Sequence, residues 1–272
     1  MEINSLVENT SRMGFPVEHG LSLHIGLDDG RKILFDMGQR RLFADNAERL
    51  GIDLADVDMA VVSHGHYDHG GGLRTFLELN KKAQVYISRH AFEPHYSLRD
   101  DGLKYIGIDP ELRTNDRLVL CADETRIGDN IILFSGINGD CLKPNGNRLL
   151  FGPAKHENDD FRHEQSLIIR EGNNTVLFAG CAHCGIINII QRGMHVAGGP
   201  FTHVFAGMHL VKSGLTEKDE AHFIHSLAEE LSAYAGCRYF TMHCTGTTQY
   251  EILKKEMGDA ISYMGCGETV RI

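Results

Sequence analysis

The sequence predicts an α/β fold in four layers: two mixed β-sheets face to face, with helices on both outer surfaces. Three observations carry this expectation. Short apolar strands alternate with helical patterns, which places helices over buried sheet faces. The strands are too many for one small sheet. The two halves of the chain also echo each other, each with paired strands followed by strand–loop–helix units.

The elements follow in order. Leu21 to Ile25 and Lys32 to Phe35 read as two strands joined at Asp28-Asp29-Gly30, a hairpin signal. Gln39 to Leu50 carries Leu42, Phe43, Ala47 and Leu50 at helical spacing and stops at Gly51. Met59 to Ser63 is a short buried strand. Gly70-Gly71-Gly72 then opens a helix with Leu73, Phe76 and Leu77 on one face, and Gln84 to Ile87 is the next strand. Residues 88 to 165 differ, holding four of the six prolines: Pro94, Pro110, Pro144 and Pro153. Turns such as Lys143-Pro144-Asn145-Gly146 interrupt strands such as Asn130 to Ser135, so the region reads as strands with long loops, a lid rather than a second domain. From Ser166 the alternation resumes. Strands are expected at Ser166 to Arg170, Thr175 to Ala179, Thr202 to Ala206 and Arg238 to Met242. Helices are expected at Gly185 to Val196, at Glu217 to Tyr234 with Thr216 as N-cap, and at Thr248 to Met257. Residues 1–272 therefore read as a single domain.

Composition bounds the function. Hydrophobic residues at 42% and charged residues at 24% match a soluble globular chain. With 27 Lys and Arg against 37 Asp and Glu, the net charge is −10, which offers no electrostatic footprint for nucleic acid. Seven scattered cysteines form no disulfide framework, the N-terminus does not read as a signal peptide, and no apolar run spans a bilayer. The expected location is cytoplasmic, with no membrane partner; nothing in the sequence sets the oligomeric state. Sixteen histidines are the outlying feature.

The chemistry concentrates in Ser63-His64-Gly65-His66-Tyr67-Asp68-His69-Gly70. Three histidines and an aspartate fall within six residues, between a strand end and a glycine-rich helix start. Two histidines at i and i+2 in a turn can converge on one ion, and the offset Asp and His can face a second. Imidazole and carboxylate together suit Zn, Mn or Fe(II). His183, His209 and His243 each follow a predicted strand, and ligands of α/β sheets gather beyond the carboxyl ends of strands. His183 and His243 are read as further ligands, and His209 as a substrate contact. The Glu217 to Glu230 charge run is read as a solvated helix face; Lys143, Lys155 and Lys212 are read as exposed solubilising lysines, with contact to an anionic substrate as the alternative.

His64-x-His66-x-Asp68-His69 resembles the signature of the metallo-β-lactamase fold superfamily, and Phe35-Asp36-Met37-Gly38 resembles its early Asp-x-Gly turn. The resemblance extends over nearly the whole chain. Gly180-Cys181-Ala182-His183-Cys184-Gly185, Gly207-Met208-His209-Leu210 and His243-Cys244-Thr245-Gly246 look like the subfamily of 7,8-dihydropterin-6-methyl-4-(β-D-ribofuranosyl)aminobenzene-5′-phosphate synthases. The resemblance implies that His64, His66 and His183 hold one metal and that Asp68, His69 and His243 hold the other. It also implies that Asp36 orients a ligand histidine. One departure stands out: where the family pattern has an Asp bridging both metals, this chain reads Gly180-Cys181. Either Cys181 substitutes as a soft ligand or no bridging carboxylate exists. Cys181-x-x-Cys184 reads alternatively as a redox dithiol or as two small buried residues.

The expected function is a metal-dependent hydrolase using one or two divalent ions, zinc first, with iron or manganese as alternatives. Its substrate is expected to be small, anionic and phosphorylated, attacked by a metal-activated water. Asp68 would orient the nucleophile, and His209 would donate a proton or hold the phosphate. Helix starts after Gly72, Gly185 and Gly246 are expected to favour the anion. Two alternatives share the site: a dihydropterin-diphosphate-dependent transferase, and an iron-binding redox protein.

Overall fold

The computed structural model describes residues 1–272. The first half supplies β1 (Glu2–Val7), β2 (Ser22–Gly26), β3 (Lys32–Phe35), β4 (Met59–Val62) and β5 (Gln84–Ser88). The middle supplies β6 (Tyr96–Arg99), β7 (Gly102–Tyr105), β8 (Leu118–Cys121), β9 (Glu124–Ile127), β10 (Ile131–Phe134) and β11 (Leu150–Phe151). The last part supplies β12 (Ser166–Glu171), β13 (Asn174–Ala179), β14 (His203–Ala206), β15 (Arg238–Thr241), β16 (Ile261–Tyr263) and β17 (Thr269–Arg271). The helices are α1 (Leu42–Arg49), α2 (Tyr67–Gly70), α3 (Leu73–Leu79), α4 (Ile186–Ala197), α5 (Glu217–Ser232) and α6 (Thr247–Met257).

Two mixed seven-stranded sheets result, in the orders β17-β1-β2-β3-β4-β5-β8 and β16-β15-β14-β13-β12-β10-β9. The period of two along each strand builds the layers. In β3, Ile33 and Phe35 face the other sheet while Leu34 faces α1 and α3. In β13, Val176 and Phe178 enter the same inter-sheet core, while Leu177 and Ala179 lie under α4. Phe35 and Phe178 meet across that core, ring centroids 6.0 Å apart. The four-layer expectation is therefore the observed architecture.

Elements with strong periodicity lie within a few residues of their expected bounds, and the Thr216 hydroxyl caps α5 by accepting from Asp219 N. The terminal strands β1 and β17 pair with each other, Ile3 opposite Val270, and had no local signal. Residues 88–165 are not one insertion. β8, β9 and β10 extend the two main sheets, and only β11-β6-β7 forms a separate small sheet. No helix is long and apolar enough to cross a membrane.

Candidate metal centre

Four strands end at one rim. β4 runs into Ser63–His66, and β13, β14 and β15, parallel neighbours, run into Gly180–His183, Gly207–His209 and Met242–His243. The loops are stitched together by backbone bonds, Gly207 N to Gly180 O at 2.8 Å and Leu210 N to Cys244 O at 3.0 Å. His66 is the N-cap of α2, whose single turn carries Asp68 and His69. Gly65 admits no side chain, since a Cβ there would lie 2.7 Å from His95 Nε2. Asp36, Ala182, His209 and His243 all hold positive φ, between 46° and 60°, so backbone strain collects at this rim.

Buried carboxylates hold the loops in place. Asp36 accepts from Ser63 N at 2.7 Å and from Ser63 Oγ at 2.7 Å. Glu164 accepts from the backbone N–H groups of His183 and Cys184, at 2.7 and 2.8 Å. Glu8 accepts from His243 N at 2.7 Å and from the Tyr263 hydroxyl at 2.6 Å. Burial pushes the Glu164 carboxyl above its ordinary range, against those backbone bonds.

The hydrogen bonds also fix which ring nitrogens are bare. Asp36 Oδ2 lies 2.6 Å from His69 Nδ1, so that nitrogen carries the proton. Ser63 Oγ donates to Asp36 and therefore accepts from His64 Nδ1 at 2.9 Å. Asn147 donates its Nδ2 to His183 O at 2.7 Å, leaving its Oδ1 to accept from His183 Nδ1 at 3.0 Å. Asn9 Oδ1 accepts from Gly20 N at 3.2 Å and from His243 Nδ1 at 2.8 Å. With Nδ1 protonated in four rings, their four Nε2 atoms point inward as lone pairs. This is the usual support of metal-ligating histidine.

Two groups of donors follow. His64 Nε2 lies 3.1 Å from His66 Nδ1, and both lie within 4.8 Å of a His183 nitrogen. His183 Nε2 is buried without a partner. His69 Nε2 lies 3.2 Å from His243 Nε2, and Asp68 Oδ2 is 3.5 Å from His243 Nε2. Donors about 2.0–2.1 Å from a tetrahedral ion lie about 3.3 Å apart, so the spacing fits. Two lone pairs at 3.2 Å repel, and a metal ion or a proton between them relieves this. The sequence-expected triads are thus brought together. Burial and the neighbouring imidazoles push His64, and burial first of all pushes His66 and His183, well below the ordinary histidine range. They stay neutral and free to ligate. His69 goes the other way: burial opposes its charge, but Asp36 and Asp68 raise it. Burial would raise Asp68, but the hydrogen bond from His19 and the neighbouring His243 and His69 imidazoles hold it well below its ordinary range.

Cys181 sits between the groups. Its Sγ is 3.1 Å from His69 Nε2, and it falls within ligating range of His64 and His69, of His183 and His209, and of His243 and Cys244. Burial pushes its thiol upward. Cys184 turns away, its Sγ 3.9 Å from Phe161 O, so the thiol beside Cys181 is Cys244. All seven cysteines are free. Of the expected residues, His209 is the half-buried one. Its ring centroid is 4.3 Å from that of His183, and its Nδ1 has no partner.

A cavity of about 540 Å³ opens onto these donors, lined by His66, Asp68, Cys181, His183, His209 and His243. Tyr67, Ile106, Leu149, Leu150 and Val211 make its apolar wall, and the small β11-β6-β7 sheet contributes Ser97 and Arg99. Residues 149 and 150 and β6 thus form part of the cavity wall. Apart from the histidines and Asp68, the charged lining residues are Arg99 and Lys212, and neither has a carboxylate within 4.0 Å. Lys212 is exposed, as read from the sequence, and it also lines the cavity, with positive φ at its backbone. Lys143 pairs with Asp140, and Lys155 lies over the Tyr96 ring. The three glycine-led helix starts do not line the cavity. Gly71 and Gly72 instead leave room for the carbonyls of Gln39 and Met37. His19, Asn9, Asn147, Glu8 and Glu164 carried no sequence signal. His19 sits 3.2 Å from Asp68 Oδ2.

The metallo-beta-lactamase superfamily model matches residues 17–191. The chain belongs to that superfamily. It is similar to the crystal structure of Tm1679, a metal-dependent hydrolase of the beta-lactamase superfamily, at 30% identity and a TM-score of 0.81, with 100% of this chain and 99% of that one covered. It is 28% identical to an uncharacterized protein of Methanocaldococcus jannaschii over 90% of both chains. It is 25% identical to that organism's 7,8-dihydropterin-6-methyl-4-(beta-D-ribofuranosyl)-aminobenzene-5′-phosphate synthase, over 100% of this chain and 96% of the relative. The superfamily is metal-dependent, and this chain has His and Asp clusters able to hold metal.

Proposed function

We propose that this chain is a metal-dependent hydrolase of a small anionic, phosphorylated substrate. His64, His66 and His183 would hold one divalent ion, and Asp68, His69 and His243 a second, with Cys181 between them. The observation that carries the reading is the buried His69–His243 pair, whose committed Nδ1 protons leave two lone pairs 3.2 Å apart beside the cavity. A bound divalent ion supplies a water with a pKa of about 7 and polarises the scissile bond. The rest falls to the chain. Asp68, hydrogen-bonded from His19, orients the attacking group. Arg99 and Lys212 attract the anion in a protein whose net charge of −10 would otherwise repel it. His209, with an unpartnered ring nitrogen, donates the proton to the leaving group or holds its phosphate. The apolar wall and the β11-β6-β7 sheet exclude water from the other side of the ligand.

A second reading, transfer of a dihydropterin from its diphosphate to an aminobenzoate-type acceptor, is favoured by the full-length likeness to the M. jannaschii synthase. Arg99 and Lys212 would then hold the leaving diphosphate while the acceptor replaces water. A third, an iron-binding redox role, draws on the thiol 3.1 Å from His69 Nε2. Metal analysis of protein purified without added metal is the first test. Stoichiometric zinc or manganese supports hydrolase or transferase, and iron with a visible chromophore supports the third reading. Product analysis with a dihydropterin diphosphate, with and without the acceptor, separates the first two. Consumption that needs the acceptor would overturn hydrolysis.

A further inference from the structure

Of the five histidines assigned above as ligands, four have Nδ1 tied to an acceptor: His64 to Ser63, His69 to Asp36, His183 to Asn147 and His243 to Asn9. His66 is the exception. Its Nδ1 faces His64 Nε2 at 3.1 Å, so the ion takes Nδ1 and the proton must sit on Nε2. That Nε2 is buried and has no partner. A buried N–H without an acceptor weakens the ligand that carries it, because the ring is neither oriented nor polarised.

Beside His66 lies a second set of buried polar groups outside the ligand triads: His95, Asp159 and His163. The hydrogen bonds determine their protons in turn. Gly65 N donates to His163 Nδ1 at 2.9 Å, so His163 carries its proton on Nε2, 3.3 Å from Asp159 Oδ2. Asp159 Oδ2 also accepts from His95 Nδ1 at 2.8 Å. Both nitrogens of His163 are thereby committed. His95 is left with a bare Nε2, buried and unpartnered, against the Gly65 backbone next to His66. The His66 and His95 rings meet edge to face with centroids 5.7 Å apart. One orphaned donor and one orphaned acceptor thus lie buried side by side.

We propose that His95, fixed by Asp159, is the positioning residue for His66: its Nε2 accepts the His66 Nε2 proton once an ion occupies Nδ1. A small approach of the rings or one bridging water completes the chain from His66 through His95 to Asp159. His163 braces it, its ring tilted against that of His95 with centroids 3.9 Å apart. The inference rests on the reading of His66 as a metal ligand.

The test is Co(II) binding to the full chain, stripped of metal, by competition with a chromophoric chelator. Visible ligand-field spectra and apo-protein unfolding are recorded in parallel. His95→Leu removes the acceptor, and His95→Gln can restore one at the same reach. Asp159→Asn keeps the shape but turns the His95 proton toward His66. Removing such a partner lowers metal affinity about 10- to 100-fold. That loss, with a shifted spectrum, is expected for one of the two ions in His95→Leu and in Asp159→Asn, and at least partial recovery in His95→Gln. If His95→Leu does not fold, Asp159→Asn and His95→Gln decide. Parental affinity and spectrum in Asp159→Asn overturn the proposal. So does loss of a third ion, which would make the cluster a site of its own. His66→Ala separates the levels. If it also binds Co(II) like the parent, the metal reading has failed; if it loses an ion while the His95 and Asp159 variants do not, only the positioning role has failed.

Discussion

Asp36→Asn probes the centre with a change of a single atom. In the parent, Asp36 Oδ2 accepts from His69 Nδ1 at 2.6 Å and from Ser63 Oγ at 2.7 Å, and Oδ1 accepts from Ser63 N at 2.7 Å. All of these groups are buried. Asparagine can keep Oδ1 for Ser63 N, which leaves an NH₂ facing His69 Nδ1. The ring then relieves the clash of donors by moving its proton to Nε2, the nitrogen 3.2 Å from His243 Nε2. A ligand becomes a donor. The expected result is a loss of about 10- to 100-fold in affinity for the ion at Asp68, His69 and His243, about 1.4–2.7 kcal/mol. Two charge-assisted bonds are also lost, at about 1.5–3 kcal/mol each, so metal-free unfolding should shift by a few kcal/mol. Isothermal titration with Zn(II) reads the first effect, denaturant unfolding with chelator the second, and ¹⁵N spectra of the histidines the tautomer. Two ions bound at parental affinity would refute the reasoning, even if stability fell.

The other expectations concern separate groups. Cys181→Asp should raise occupancy of the second ion, since a hard carboxylate replaces a thiol between two cations; equal metal content in variant and parent would count against it. His209→Ala should keep its metal while turnover falls by about 10²–10⁴ if the ring is the general acid, and metal loss would make His209 a ligand instead. Arg99→Ala and Lys212→Ala should each weaken inhibition by inorganic phosphate on the order of tenfold or more with metal content unchanged; inhibition as in the parent would place the anion elsewhere. His24, buried on β2 away from the rim, has its pKa lowered to about 4 by burial and Lys32. The unfolded chain therefore takes up this proton first as pH falls below about 6.5, so stability drops between pH 6.5 and 4 and levels off below, by about 3 kcal/mol in all. His24→Leu should lack that share of the acid sensitivity in chelator-treated unfolding curves, and identical pH profiles would refute it.

What the sequence determined by itself was local. His64 and His66 at i and i+2, followed by Asp68 and His69, gather donors at a strand-to-helix turn, because the spacing alone keeps them close. Strand-end placement brought His183 and His243 to the same rim, and alternation in segments such as Ile33-Leu34-Phe35 sufficed for two sheets under helices. Tertiary structure decided the rest, because it depends on partners far apart in the chain. The Asn9 amide that sets the His243 tautomer lies 234 residues away, and the Asn147 amide that sets His183 lies 36 away. Neither asparagine has a spacing that would mark it. β1 and β17 owe their strands to pairing between the two ends of the chain, so no local pattern announces them. Arg99 and Lys212 look like any surface cation until β6 and the loop after His209 bring them to one cavity. The charge state of a buried ring is decided by the acceptor that reaches it, and that acceptor is chosen by packing.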